Sequence, residues 1–196
     1  GSLVQVLRYN LARKAPRVRV FEVGRVFMRD ASVMAGAASV DGVRQPMRLG
    51  GLAWGSAEPL QWGAKERAVD CYDVKGDIES LLAPRGARFV AAAHPALHPG
   101  RCAAIEIDGR IVGHVGELHP RWRQAYELPS APVLFELDAD AVLEVPVPAF
   151  AGVPRQQAVT RDIAIVVRDD AAHDAIDAAV RKLDRRQGWR GPVAHL

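Results

Sequence analysis

Apolar residues recur at largely helical spacing through Leu3, Val6, Leu7, Tyr9 and Leu11, and the chain then enters the basic stretch Arg13-Lys14-Ala15-Pro16-Arg17. Pro16 disfavours helical backbone at Ala15, so the pattern predicts a helix ending in a turn. Residues 17–27, RVRVFEVGRVF, alternate at their start and are rich in Val and Phe, which predicts a strand. Gly24 inside it predicts a bulge or a close backbone approach. The following twenty residues, rich in Ala, Gly and Ser, are expected to form a loop. Residues 47–55, MRLGGLAWG, predict a second strand, glycine-rich enough to admit a close neighbour.

Residues 73–83 predict a helix with Asp73 as its cap and Val74, Ile78, Leu81 and Leu82 on one face, stopped by Pro84 and Gly86. Residues 89–93 predict a strand. A Pro/His-rich link, HPALHPGR, leads to apolar runs at 102–107 and 110–115 around Asp108-Gly109. Asp-Gly supplies the positive φ values that a two-residue hairpin turn demands. Residues 120–128 suit a short helix opening on proline, and 133–137 another strand.

Three prolines and a glycine interrupt the pattern at 145–154, which predicts a linker between a first domain at 1–144 and a second unit at 155–196. In that unit residues 162–167, DIAIVV, predict a buried strand, and 172–187 a helix with Ile176, Ala179, Val180 and Leu183 on one side. One strand and one helix do not enclose a core, so the second unit is expected to be incomplete.

The 196 residues are 25% charged and 49% apolar, with no apolar run of the roughly 18 residues a spanning helix requires. No secretory signal is visible, and Gly1-Ser2 are either native or a cloning scar. Cys71 and Cys102 are too few for a disulfide framework or a zinc knuckle, which favours a reducing cytoplasm. A formal charge of +3 permits a polyanionic partner without requiring one.

Candidate chemistry is sparse. His94 and His98 have the i, i+4 spacing of a helical metal pair, but Pro95 and Pro99 oppose a helix and no HExxH glutamate is present, so no metal site is expected. His114 and His119 lie near Glu117 without a serine or cysteine nucleophile placed to use them. Gly113-His-Val-Gly116 and the Gly50-Gly51/Gly55 cluster match no phosphate-loop pattern and are read as close strand packing. Trp54, Trp62, Trp122 and Trp189 are too dispersed for a stacking platform. Positive charge gathers at Arg155, Arg161, Arg181, Lys182, Arg185 and Arg186, a face suited to phosphate contacts, although Asp174, Asp177 and Asp184 dilute it.

The order of these segments resembles the C-terminal half of the β subunit of bacterial phenylalanyl-tRNA synthetase. The strings that carry the resemblance are LRYNLARK before RVRVFEVGRVF, then VDCYDVKGDIESLL, HPALHPGRCAAIEIDGRIVGHVGELHP, VLFEL and PRQQAVTRDIAIVV. They cover the chain to about Val167, and residues 188–196 match poorly. The resemblance implies an α+β fold: a class II synthetase-like, mainly antiparallel sheet flanked by helices, followed by the start of a ferredoxin-like anticodon-binding domain. It further implies a non-catalytic piece of an ATP- and Mg2+-dependent cytoplasmic ligase. Its partners would be an α subunit, in an α2β2 assembly that holds the active site, and tRNA(Phe), with no membrane. The six basic residues named above would then serve tRNA.

Arg19 and Glu22 resemble the arginine and carboxylate of the second class II motif. The third motif needs a glycine-rich strand running into a helix whose arginine clamps the triphosphate, and in 113–120 a proline, Pro120, stands near that place. Two rival readings remain: a free-standing class II paralogue that activates an acid with ATP through Arg19, Glu22 and Arg121, and a general RNA-binding module acting through the 181–190 face.

Overall fold

The computed structural model describes residues 1–144, 147, 162, 164–171 and 173–186. The chain divides into two compact units, Gly1–Val147 and Pro148–Leu196.

In the first unit, helix α1 (Ser2–Ala12) turns Val4 and Leu7 inward and leaves Val6 and Tyr9 exposed. Lys14, at positive φ, reverses the chain, and strand β1 (Arg17–Arg25) follows. A ribbon of two short strands, β2 (Met28–Arg29) and β3 (Val43–Arg44), lies where a plain loop was expected. Strand β4 (Met47–Gly55) pairs with β1 in unbroken antiparallel register from Arg17↔Gly55 to Arg25↔Met47. Gly24 therefore forms no bulge, and nothing lies within 4 Å of where its Cβ would stand.

Helix α2 (Cys71–Leu82) begins earlier than expected because its cap is Asp70, not Asp73. The Asp70 carboxylate accepts from the N–H groups of Tyr72 and Asp73, while Asp73 accepts from the N–H of Asp70, forming a closed capping box. Val74, Ile78 and Leu82 are buried, but Leu81 is 44% exposed, since α2 covers only part of the sheet. Strand β5 (Arg88–Ala91) is shorter than expected. Strand β6 (Leu97–Ile107) is longer, taking in most of the Pro/His link with a register shift between Leu97 and Cys102. At its far end Asp108 (φ 52°) and Gly109 (φ 78°) make the expected tight turn into β7 (Arg110–Leu118).

Helix α3 (Pro120–Ala125) ends before residue 128, at a reversal through Glu127 (φ 54°). Strand β8 (Val133–Asp138) runs straight into α4 (Ala139–Leu143). Together the long strands make a six-stranded sheet ordered β1-β4-β8-β7-β6-β5, in which every ladder is antiparallel. The α+β, mainly antiparallel architecture read from the sequence is thus present. Two cores lie on opposite faces. One, under α2 and α4, gathers Val74, Ile78, Ile105, Val115 and Leu137; the other, under α1, gathers Val4, Leu7, Val18, Leu52, Leu118 and Leu128. Each such fully covered aliphatic side chain contributes about 1.5–3 kcal/mol.

In the second unit, helix α5 (His173–Arg186) lies within the helix expected at 172–187, whose two end residues are outside the described residues. The strand expected at 162–167 is absent among its described residues: Asp162 and Ala164–Val167 lie in no strand and are exposed. No described residue pairs with them, and a lone extended segment has no ladder to satisfy its backbone groups. Apart from Val147, the expected linker at 145–154 lies outside the described residues.

Candidate functional site

Alternation along a strand sends neighbouring side chains to opposite faces, and this decides which polar groups meet. On the face under α1, one row crosses four strands through the register Glu22↔Gly50, Gly50↔Glu136 and Glu136↔His114. With Arg48 of β4 and His94, which follows β5, this row lines a cleft of about 490 Å³. Ser2 of α1 and Trp122 and Tyr126 at α3 close its sides.

Within the cleft the charges are largely answered. Ser2 Oγ donates to Glu22. Arg48 Nε stands 3.8 Å from Glu136 Oε1, an ion-pair distance without a hydrogen bond, and is buried. The rings of His94 and His114 are tilted at 5.1 Å between centroids. Burial pushes the His114 imidazole below its ordinary value, and His94 and Arg48 push the same way against Glu136. These surroundings favour the neutral imidazole.

The pair expected to act together does not meet. Arg19 and Glu22 are three residues apart on an unbroken strand, so they leave it on opposite faces. Arg19 forms an ion pair with Asp77 of α2 and donates to the carbonyl of Ala57 at 3.3 Å; Glu22 faces the cleft under α1. Arg121 donates to the carbonyl of Pro95 at 3.1 Å and stacks 4.7 Å above Trp122. The constellation of the free-standing paralogue, Arg19, Glu22 and Arg121, is thus not assembled.

The histidines also separate. His94 faces His114, whereas His98 lies within β6 with its Nδ1 buried and without a hydrogen-bond partner among the described residues. His119 caps α3, its Nδ1 accepting from the Arg121 N–H at 3.1 Å. Glu117 is held by Arg101 at 2.9 Å. The two glycines of 113–116 are packing positions, as read: a Cβ on Gly113 would stand 2.1 Å from the Glu136 carbonyl oxygen, and one on Gly116 2.5 Å from that of Arg101. Of the six basic residues assigned to tRNA, Lys182 is described and exposed. Arg155 and Arg161 lie outside the described residues, as do the side chains of Arg181, Arg185 and Arg186.

Sequence reasoning missed the cleft. Arg48, Glu136 and His114 come from three strands, and only the alternation phase of each, combined with strand order, places them together. It also missed the direct passage of β8 into α4, whose residues 139–143 include no arginine.

A profile described as the phenylalanyl tRNA synthetase beta chain CLM domain matches residues 1–139. The chain belongs to this family. The phenylalanine–tRNA ligase β subunit of Ralstonia nicotianae is 62% identical to it over 179 residues, 91% of this chain and 22% of that protein. The β subunit of Dechloromonas aromatica is 57% identical over 167 residues, 85% of this chain and 20% of that protein. The chain spans about a fifth of the length of these curated relatives and corresponds to a fragment of the β subunit. A solved pyrrolysyl-tRNA synthetase from Desulfitobacterium hafniense aligns with a TM-score of 0.48 at 12% identity, covering 72% of this chain and 45% of that one. Among the described residues no helix is long and apolar enough to cross a membrane.

Proposed function

We propose that this chain serves the ATP-dependent aminoacylation of tRNA(Phe) as a non-catalytic part of a phenylalanine–tRNA ligase β subunit. It supports assembly with an α subunit, in an α2β2 enzyme working in the cytoplasm, and helps to position tRNA. The observation that carries the reading is the 62% identity to such a β subunit across 91% of the chain. The geometry supports the non-catalytic half. In a class II-like reading of the domain, Arg19 points away from Glu22, neither Pro120 nor the β8–α4 passage supplies an arginine where the third motif needs one, and Arg48 faces Glu136. These residues do not fit a triphosphate clamp, so no step through ATP or Mg2+ is assigned to them; both belong, in this reading, to the whole enzyme. Without preorganised cations on the triphosphate little remains to stabilise phosphoryl charge.

Residues 155–196 belong, on this proposal, to the beginning of a ferredoxin-like anticodon-binding domain. Arg155, Arg161, Arg181, Lys182, Arg185 and Arg186 contribute phosphate contacts there. The test is co-elution: the longer β polypeptide that contains this chain, co-expressed with the α subunit of the same organism, is expected to run as one complex on size exclusion. Separate elution would defeat the assembly role.

A further inference from the structure

On the face opposite the cleft, α2 lies over β7 and β8, and beyond it the β1 edge of the sheet is open. The result is a groove of about 470 Å³ with an almost wholly apolar lining. Its floor is built by register. Phe21 stands opposite Gly51 and Val23 opposite Leu49, and the Phe135 ring lies over Gly51, filling the space a side chain there would take. Phe21 is 75% exposed, Val23 54% and Leu81, on the α2 wall, 44%. Single exposed apolar side chains are ordinary, but three around one concave floor mark a surface that is covered in use. β1 is also the outer strand of the sheet, with a row of backbone groups that no strand pairs among the described residues.

We infer that this groove is covered by a segment of the same longer polypeptide outside these 196 residues. That segment places apolar side chains over Phe21, Val23 and Leu81. Arg19, which also lines the groove, is already engaged by Asp77 and by the carbonyl of Ala57. RNA is disfavoured, because the one cation of the lining, Arg19, is paired with Asp77. A covering segment in the same chain is favoured over a separate protein for two reasons. Most of the length of the matched relatives lies outside this chain. A lining with hardly any polar surface has the character of a domain interior, whereas separable interfaces carry a polar rim.

The inference rests on reading the chain as a piece of a β subunit, and labelling kinetics separate the two. Phe21→Cys and Leu81→Cys are made in the 196-residue chain and in the longer polypeptide, with Val40→Cys, which is 57% exposed outside the groove, as the control. Maleimide labelling is followed after subtracting the rate of the native Cys71 and Cys102. In the longer polypeptide purified alone, labelling at 21 and 81 is expected to slow by about tenfold or more, with Val40→Cys unchanged. Equal rates at 21 and 81 would overturn the inference and leave the β-subunit reading standing. Protection gained only on adding the α subunit or tRNA would overturn it in favour of a partner in trans. A gene whose reading frame held no further segment would overturn both.

Discussion

Phe135 on β8 lies across Gly51 on β4, so close that a Cβ at Gly51 would stand 2.0 Å from Phe135 Cε1. One residue earlier, Gly50 faces the other side of the sheet, where a Cβ would meet Leu3 Cδ1 at an ordinary 3.4 Å. Two adjacent glycines thus carry different loads. Gly51→Ala is expected to destabilise the first unit by about 1–3 kcal/mol through forced displacement of the Phe135 ring, and Gly50→Ala by no more than about 0.5 kcal/mol. Thermal melts of the two variants check the order; equal melting temperatures would count against the packing described.

Asp73 accepts from Arg67 at 2.7 and 2.5 Å and closes the α2 capping box. The Arg67 hydrogen bonds, aided by the Asp70 N–H and the charge of Arg19, hold its carboxyl down to about 2. A carboxyl depressed by folding adds stability that is complete above the ordinary carboxylate range and disappears as pH falls through about 2. Asp73→Asn is expected to cost about 1 kcal/mol at neutral pH and to flatten the acid limb of a stability–pH curve measured by urea denaturation.

His114 shows the opposite sense. Its folded value lies below its unfolded one, so the unfolded chain takes up the proton first and stability declines as pH falls below the ordinary imidazole range. His114→Gln is expected to reduce that decline between about pH 7 and 5. An unchanged slope would show that burial, with His94 and Arg48 beside it, does not burden its charged form.

Much of this fold is written in local chemistry. Asp108-Gly109 announces its hairpin, and the strand expected at 47–55 coincides with β4, which ends at Gly55 with a positive φ of 86°. The helix cap was misplaced by one turn because Asp70 and Asp73 both suit the role, and only hydrogen-bond geometry shows that they share it. The resemblance to the second class II motif pairs Arg19 with Glu22, although strand alternation at a separation of three already sets them on opposite faces. The cleft is different in kind: Arg48, Glu136 and His114 are brought together by the ladders β4–β8 and β7–β8, which no local pattern encodes.

For tRNA, the proposed contacts are to phosphate. Binding by this chain is expected to be weak, to fall as salt rises, and to discriminate little between tRNA(Phe) and a noncognate tRNA, since base reading needs stacking or hydrogen-bonding groups on a sheet surface. Lys182→Ala is expected to weaken binding to both tRNAs alike and to lower the salt slope by about one. Filter binding at two salt concentrations measures both effects, and tight, salt-insensitive preference for tRNA(Phe) would contradict them.

The central claim, a β-subunit piece that supports aminoacylation without performing it, is tested most directly by phenylalanine-dependent pyrophosphate exchange with ATP and Mg2+. The chain alone is expected to stay at background, and the complex of the longer polypeptide with its α subunit to exchange and to charge tRNA(Phe). Exchange by the 196 residues alone, abolished by Arg19→Ala, would contradict the account.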